Sequence, residues 1–261
     1  MKKTLSVILA ALMLLSCASL VFAAEDSRGI VYVTIADKGT LAVADKPVVV
    51  KDIDADKAIT VNDALYCAHE EYYKGGAKEG YSSYTGTYGL SLGKLWGDES
   101  DPDKNYYTNF GYYVNDGFAM SLADPVNAGD HVYAFSYTDT ENWTDSYSFF
   151  DKKNVKAVSL EKTELTLNAY SFDENFMPVT APLEGAEITV DGFRTFKVTD
   201  ENGKADITIL LPGEHVISAT APDGKIIAPP VCVINVEFDL VKMISNIFDG
   251  ISEFFSGLFK S

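Results

Sequence analysis

Asp52, Asp54, Asp56 and Asp63 occupy the first, third, fifth and twelfth places of the segment Asp52-Ile-Asp-Ala-Asp-Lys-Ala-Ile-Thr-Val-Asn-Asp63. Calcium, a hard cation, takes about six to eight oxygen ligands, and a tight loop with carboxylates at these places can wrap them around one ion. The carbonyl of Ala58 at the seventh place and a side chain or water at Thr60 at the ninth would complete the set, with Ile59 between them as an apolar anchor. The sixth place calls for glycine, and Lys57 stands there. A lysine must take a strained backbone conformation at that turn and brings a positive charge near the ion, so weakened affinity is expected. The other reading is a solvated acidic loop whose aspartates favour the start of a following helix through its dipole.

Aromatic side chains form a second set. Between Tyr81 and Tyr147 lie Tyr84, Tyr88, Trp96, Tyr106, Tyr107, Tyr112, Tyr113, Phe118 and Trp143, many of them among glycines and serines. Flat apolar faces with polar tips suit the recognition of small molecules or sugars, and they also fill cores. Trp96, Tyr112 and Tyr113 are the candidate ligand contacts. Asp98-Glu-Ser-Asp-Pro-Asp103 is a further acidic cluster that reads as a loop.

Catalytic patterns are sparse. Gly89-Leu-Ser-Leu-Gly93 has nucleophile-elbow spacing, which requires a strand before it, a helix after it, and Asp then His later in the chain. Its surroundings read as turns. His131 and His215 fall in expected strands, and His69 reads as a surface residue of a helix. The chain carries neither a phosphate-binding loop nor a dinucleotide fingerprint. The expectation is a non-catalytic protein, with a secreted enzyme of unrecognised site as the alternative.

The elements that would hold these residues begin after a leader. Lys2 and Lys3 precede an apolar run from Leu5 through Leu20, which ends in Val21-Phe-Ala23. Positive charge, apolar stretch and small residues at the cleavage point make residues 1–23 an expected secretory signal peptide, with Cys17 in Leu14-Leu-Ser-Cys17 offering the alternative of a lipoprotein. The address is therefore extracytoplasmic, secreted or cell-surface associated. Lys and Arg number 21 against 38 Asp and Glu, for a formal net charge of −17. Such a surface repels phosphate backbones, which excludes nucleic acid as a partner. An extracellular small molecule, glycan or protein is expected instead. Cys67 and Cys232, far apart in the chain, read as buried small hydrophobes without a disulfide framework.

Residues 30–35 and 47–50 form an expected opening hairpin. Val61, Leu65, Ala68 and Tyr72 share one face of an expected helix that Gly75-Gly76 ends. Residues 80–109 read as long loops, and strands follow at 110–114 and 131–137. Strands flanking one helix suggest an α+β, β-grasp-like domain over 28–150. Short strands at 155–160, 164–169, 186–190, 204–210, 215–221 and 231–238, separated by turns such as Asp191-Gly192 and Asn202-Gly203, suggest an all-β immunoglobulin-like sandwich over 155–238. In the tail, 239–261, Leu240, Ile244, Ile247, Ile251, Phe254 and Leu258 recur at three or four, which makes an amphipathic helix suited to a membrane surface or to self-association.

Two resemblances accompany these residues. The acidic loop followed by Ala64-Leu65 resembles the EF-hand-like calcium loop of dockerins. Thr60-Val-Asn-Asp-Ala-Leu65, Gly111-Tyr-Tyr-Val-Asn115 and Ala128-Gly-Asp-His-Val-Tyr-Ala-Phe135 together resemble the β-grasp module related to the C-terminal domain of transcobalamin and intrinsic factor. That resemblance implies a ligand-facing role for Asn115 beside Tyr112 and Tyr113, and cobalamin or a similar macrocycle as an alternative ligand. The helical barrel that holds most of cobalamin in those proteins has no counterpart here. Gly185-Ala-Glu-Ile-Thr-Val190 and Thr199-Asp-Glu-Asn-Gly-Lys204 resemble bacterial immunoglobulin-like or carboxypeptidase-regulatory-like domains, which implies a spacer.

Overall fold

The computed structural model describes residues 29–86, 89–100, 109–172, 174 and 178–258. The expected signal peptide, Cys17, residues 101–103 of the second acidic cluster, and Tyr88, Tyr106 and Tyr107 lie outside the described residues. The described chain is mostly β-strand with few helices.

β1 (Ile30–Asp37) and β2 (Thr40–Val49) form the opening hairpin, with Val33 opposite Lys46 and a register shift after it. α1 (Val61–Tyr72) starts where the sequence periodicity places it, and a short turn of helix, α2 (Ala77–Gly80), follows. Residues expected to be long loops instead form a meander of β3 (Ser82–Gly86), β4 (Gly89–Leu95) and β5 (Asp98–Glu99). Burial explains the correction: Leu92 and Leu95 on β4 are fully enclosed in the core beside α1, and antiparallel pairing satisfies the backbone that carries them. Gly89–Gly93 consequently runs inside a strand, without the strand-to-helix turn that an elbow serine needs.

β6 (Phe110–Val114) pairs with the short β7 (Gly117–Phe118), and β8 (His131–Ser136) inserts between β1 and β6, parallel to the first and antiparallel to the second. The sheet order is β2-β1-β8-β6-β7. Side chains alternate across it. Val31, Val33 and Ile35 of β1, Tyr112 of β6, and Val132 and Ala134 of β8 face Val61, Leu65 and Ala68 of α1 in one core. Tyr113, Tyr133 and Phe135 point to the opposite face, where a second layer meets them.

That layer begins earlier than the sequence suggests. β9 (Asp145–Phe150), within the range 28–150 assigned to the first unit, hydrogen-bonds to strands of the second half. β10 (Asn154–Val158), β11 (Lys162–Phe172), β12 (Pro178–Pro182), β13 (Glu187–Val190), β14 (Phe193–Val198), β15 (Lys204–Thr208), β16 (Gly213–Thr220), β17 (Ile226–Ala228) and β18 (Cys232–Glu237) complete the strands. They form one sheet ordered β10-β18-β16-β13-β14 and another ordered β12-β11-β9-β17, with β15 on the remaining length of β11. Phe150, Leu165, Leu167, Ile188, Ile217, Cys232 and Ile234 fill the space between. Because the first sheet is covered on both faces, Tyr112 and Tyr113, adjacent in sequence, are both buried.

α3 (Leu240–Leu258) ends the described chain. No helix among the described residues is long and apolar enough to cross a membrane.

Candidate functional site

The acidic loop lies between β2 and α1 and is shaped by its own carboxylates. Asp52 accepts the amides of Ala55 (2.6 Å) and Lys57 (2.9 Å), one on each oxygen. Asp56 accepts the amide of Ala58 at 2.7 Å. These bonds curl the loop, and Lys57 takes the left-handed conformation (φ 71°) that its place demands, as does Ala55 (φ 62°). The expected glycine-type turn is therefore present, held by residues for which it costs about 1–2 kcal/mol.

At the exit, Thr60 and Asp63 form a reciprocal capping box. The Thr60 amide and hydroxyl both donate to Asp63 Oδ2 (2.8 and 2.7 Å), and the Asp63 amide donates to Thr60 Oγ1 (3.3 Å). Asp63 Oδ1 reaches across the loop to the amide of Ile53 at 2.9 Å. Fully buried, Asp63 thus ties the loop's entry to the helix start.

The structure brings carboxylate oxygens of Asp52, Asp54 and Asp63 within 4.8 Å of one another, a spacing that one cation spans. Asp56 is not part of this group, and the Thr60 hydroxyl is committed to the cap. Hydrogen bonds from the loop amides, first that of Lys57, hold the Asp52 carboxyl below the usual carboxylate range. Desolvation, together with the charges of Asp56 and Asp63, pushes Asp54 up. Negative charge is thus concentrated where three oxygens converge.

The four candidate ligand residues lie in different settings. Trp96 (φ 53°) is half-buried in the turn between β4 and β5, edge-on to Tyr73 and 5.3 Å from the ring of His69. Tyr112 belongs to the core beneath α1 and also walls a cleft of about 510 Å³ with Phe118, Met120, Tyr137 and Trp143. Tyr113 stacks on Tyr147 with centroids 3.7 Å apart, deep between the two layers. Asn115 (φ 49°) pins a turn, donating to Asp130 (2.8 Å) and accepting the amide of His131 (2.9 Å).

His69 corrects the surface expectation: it is completely buried. Its Nδ1–H donates to the Leu65 carbonyl (2.7 Å), and its Nε2 accepts the amide of Trp96 (3.0 Å). Burial drives its pKa down to about 4. The spacing Val61, Leu65, His69 places it on the buried stripe of α1, a signal the sequence did contain.

A polar seam joins the layers. Asp45 accepts from His131 Nδ1 (2.6 Å) and Asn154 Nδ2 (2.9 Å), Tyr147 donates to Asp116 (2.7 Å), and Lys153 pairs with the same carboxylate. Tyr133 donates to the carbonyl of Pro229 at 2.6 Å. Comparison with protein-family models, with curated proteins and with solved structures finds no match to this chain.

Proposed function

We propose that this chain is a secreted or surface-associated, non-catalytic binding protein of adhesion type, in which a β-grasp-like unit is stabilised by calcium and an immunoglobulin-like sandwich serves as its rigid support. The observation that carries the reading is the convergence of Asp52, Asp54 and Asp63 at the entry to α1. Asp52, Asp54 and Asp63 would hold the ion, which would neutralise charge that is otherwise repulsive and fasten the β2–α1 connection to the helix. An all-oxygen donor set suits a hard cation and disfavours zinc or copper. The sequence supports an extracytoplasmic address through residues 1–23, and calcium outside the cytoplasm is abundant enough to fill a loop weakened by Lys57. The cleft beside Tyr112, with Phe118 and Met120 exposed at its rim, supports recognition of an apolar or aromatic group.

Isothermal calorimetry of the chain without residues 1–23, with calcium and separately with magnesium, tests the reading against an Asp52→Ala/Asp54→Ala double variant. Saturable heat with calcium that the double variant loses is expected, together with a calcium-dependent rise in melting temperature. Absence of heat in the unaltered protein, or equal heat in the variant, would sink it.

A further inference from the structure

Helix α3 meets the body along one edge, where Met243 and Asn246 are partly buried, and not with the centre of its apolar arc. Asn246, on the polar arc, donates to the carbonyl of Ser159 at 3.3 Å. The apolar arc looks away from the protein: Leu240 is 54 % exposed, Val241 79 % and Phe248 67 %, with Ile244, Ile247 and Ile251 exposed beside them.

The breadth of that arc and its borders select what covers it. Leu240, Ile244, Ile247 and Ile251 recur at three or four, a seam that one partner helix could bury. Val241 and Phe248, seven apart along the flank, stand where a two-stranded coil carries charged residues. A single partner helix would leave that flank wet. A larger bundle would cover it but would gather several copies of a chain whose formal net charge is −17, against mutual repulsion. A bilayer surface accepts the entire arc to a depth of roughly 5–10 Å.

Charge then defines the lipid. Lys242 is the sole cation in the segment from Leu240 to Leu258, against Asp249 and Glu253, and serines, Asn246 and glycines occupy the remaining polar positions. The segment's acidic groups outnumber that one cation, so it offers anionic headgroups no net attraction, and the acidic body repels them. We propose that α3 is an interfacial anchor that inserts its broad apolar face into zwitterionic, loosely packed lipid, driven by apolar burial in place of charge. The inference deepens the surface-association part of the proposed function and is independent of the cation, so calorimetry on the acidic loop and lipid binding by α3 fail separately.

Flotation of the chain without residues 1–23 on phosphatidylcholine vesicles, small sonicated against large extruded, tests it. Co-flotation is expected, stronger on the small vesicles, where packing defects are more frequent, and not increased by phosphatidylglycerol. Val241→Glu/Phe248→Glu should weaken binding about tenfold or more, whereas Lys242→Glu should leave it unchanged. Circular dichroism monitors the fold of each variant, and a chain ending at Asp239 serves where the double variant misfolds. Absent flotation, flotation retained by the double variant or the shortened chain, or binding that anionic lipid enhances would each overturn the proposal. Light scattering that shows a concentration-dependent oligomer, lost in the double variant and without vesicle binding, would assign the face to self-association and overturn it as well.

Discussion

Acidification should weaken this fold through His69, by an amount the surroundings of the ring determine. The neutral ring donates from Nδ1 to Leu65 and accepts at Nε2 from the Trp96 amide. Protonation puts a second N–H against that amide, inside a cage of Tyr73, Tyr81 and Trp96 that admits no water to the ring. The folded pKa of about 4 lies below the ordinary 6.5, so between these values the unfolded chain binds a proton that the fold refuses. Stability from this group is therefore complete above about pH 6.5, declines as pH falls, and stops declining below about pH 4. Every tenfold difference in proton affinity between the folded and unfolded chain is worth about 1.4 kcal/mol, which makes the loss about 2–3 kcal/mol at pH 4.5 relative to pH 7.5. Urea unfolding followed by tryptophan fluorescence, in chelator and at a series of pH values, measures it. His69→Gln keeps an acceptor near the Trp96 amide and removes the titration. It should cost about 1–2 kcal/mol at pH 7.5 through imperfect hydrogen bonds and flatten the pH dependence by the His69 share. Equal pH slopes in the two proteins, or a His69 ring resonance titrating near pH 6.5, would refute the reasoning.

Lys57→Gly should stabilise the acidic loop, because glycine occupies φ 71° without the left-handed penalty, for a gain of up to about 1 kcal/mol. The same change removes a positive charge from the loop, so calorimetry should show tighter calcium binding and thermal melting a small rise. Tyr133→Phe should cost about 1–3 kcal/mol in chemical denaturation, since it leaves the buried Pro229 carbonyl without its donor, while calcium heats stay unchanged.

What was legible in the sequence is what neighbouring residues decide among themselves. The β2–α1 loop is built from hydrogen bonds that span five residues or fewer within Asp52–Ala58 and three within the Thr60–Asp63 cap, so residue type at fixed spacing already encodes it. The strained turn at Lys57 is readable for the same reason. Periodicity sufficed for α1 and for α3, since apolar recurrence at three and four is itself the geometry of one helical face.

Long-range placement was not legible. Spacing alone put His69 on the apolar stripe of α1, but what encloses its ring, β4 and Trp96, comes from distant segments. Residues 80–109 read as loops because their strands are short and rich in glycine and serine, and among the described residues of those strands only Leu92 and Leu95 are buried. β9 sits closer in sequence to β8, yet pairs with β11 and β17, a choice made by partners more than ten residues away.

The sequence by itself determined the local chemistry: an acidic loop capped into a helix, an amphipathic tail, and alternating strands with turn residues between them. The tertiary structure alone decided which of these surfaces are free. It buried Tyr112 under α1 and Tyr113 against Tyr147, because a strand presents consecutive side chains to opposite faces and here both faces are covered. It left most of the apolar arc of α3 in the open, because the helix meets the body along the edge that carries Met243 and Asn246.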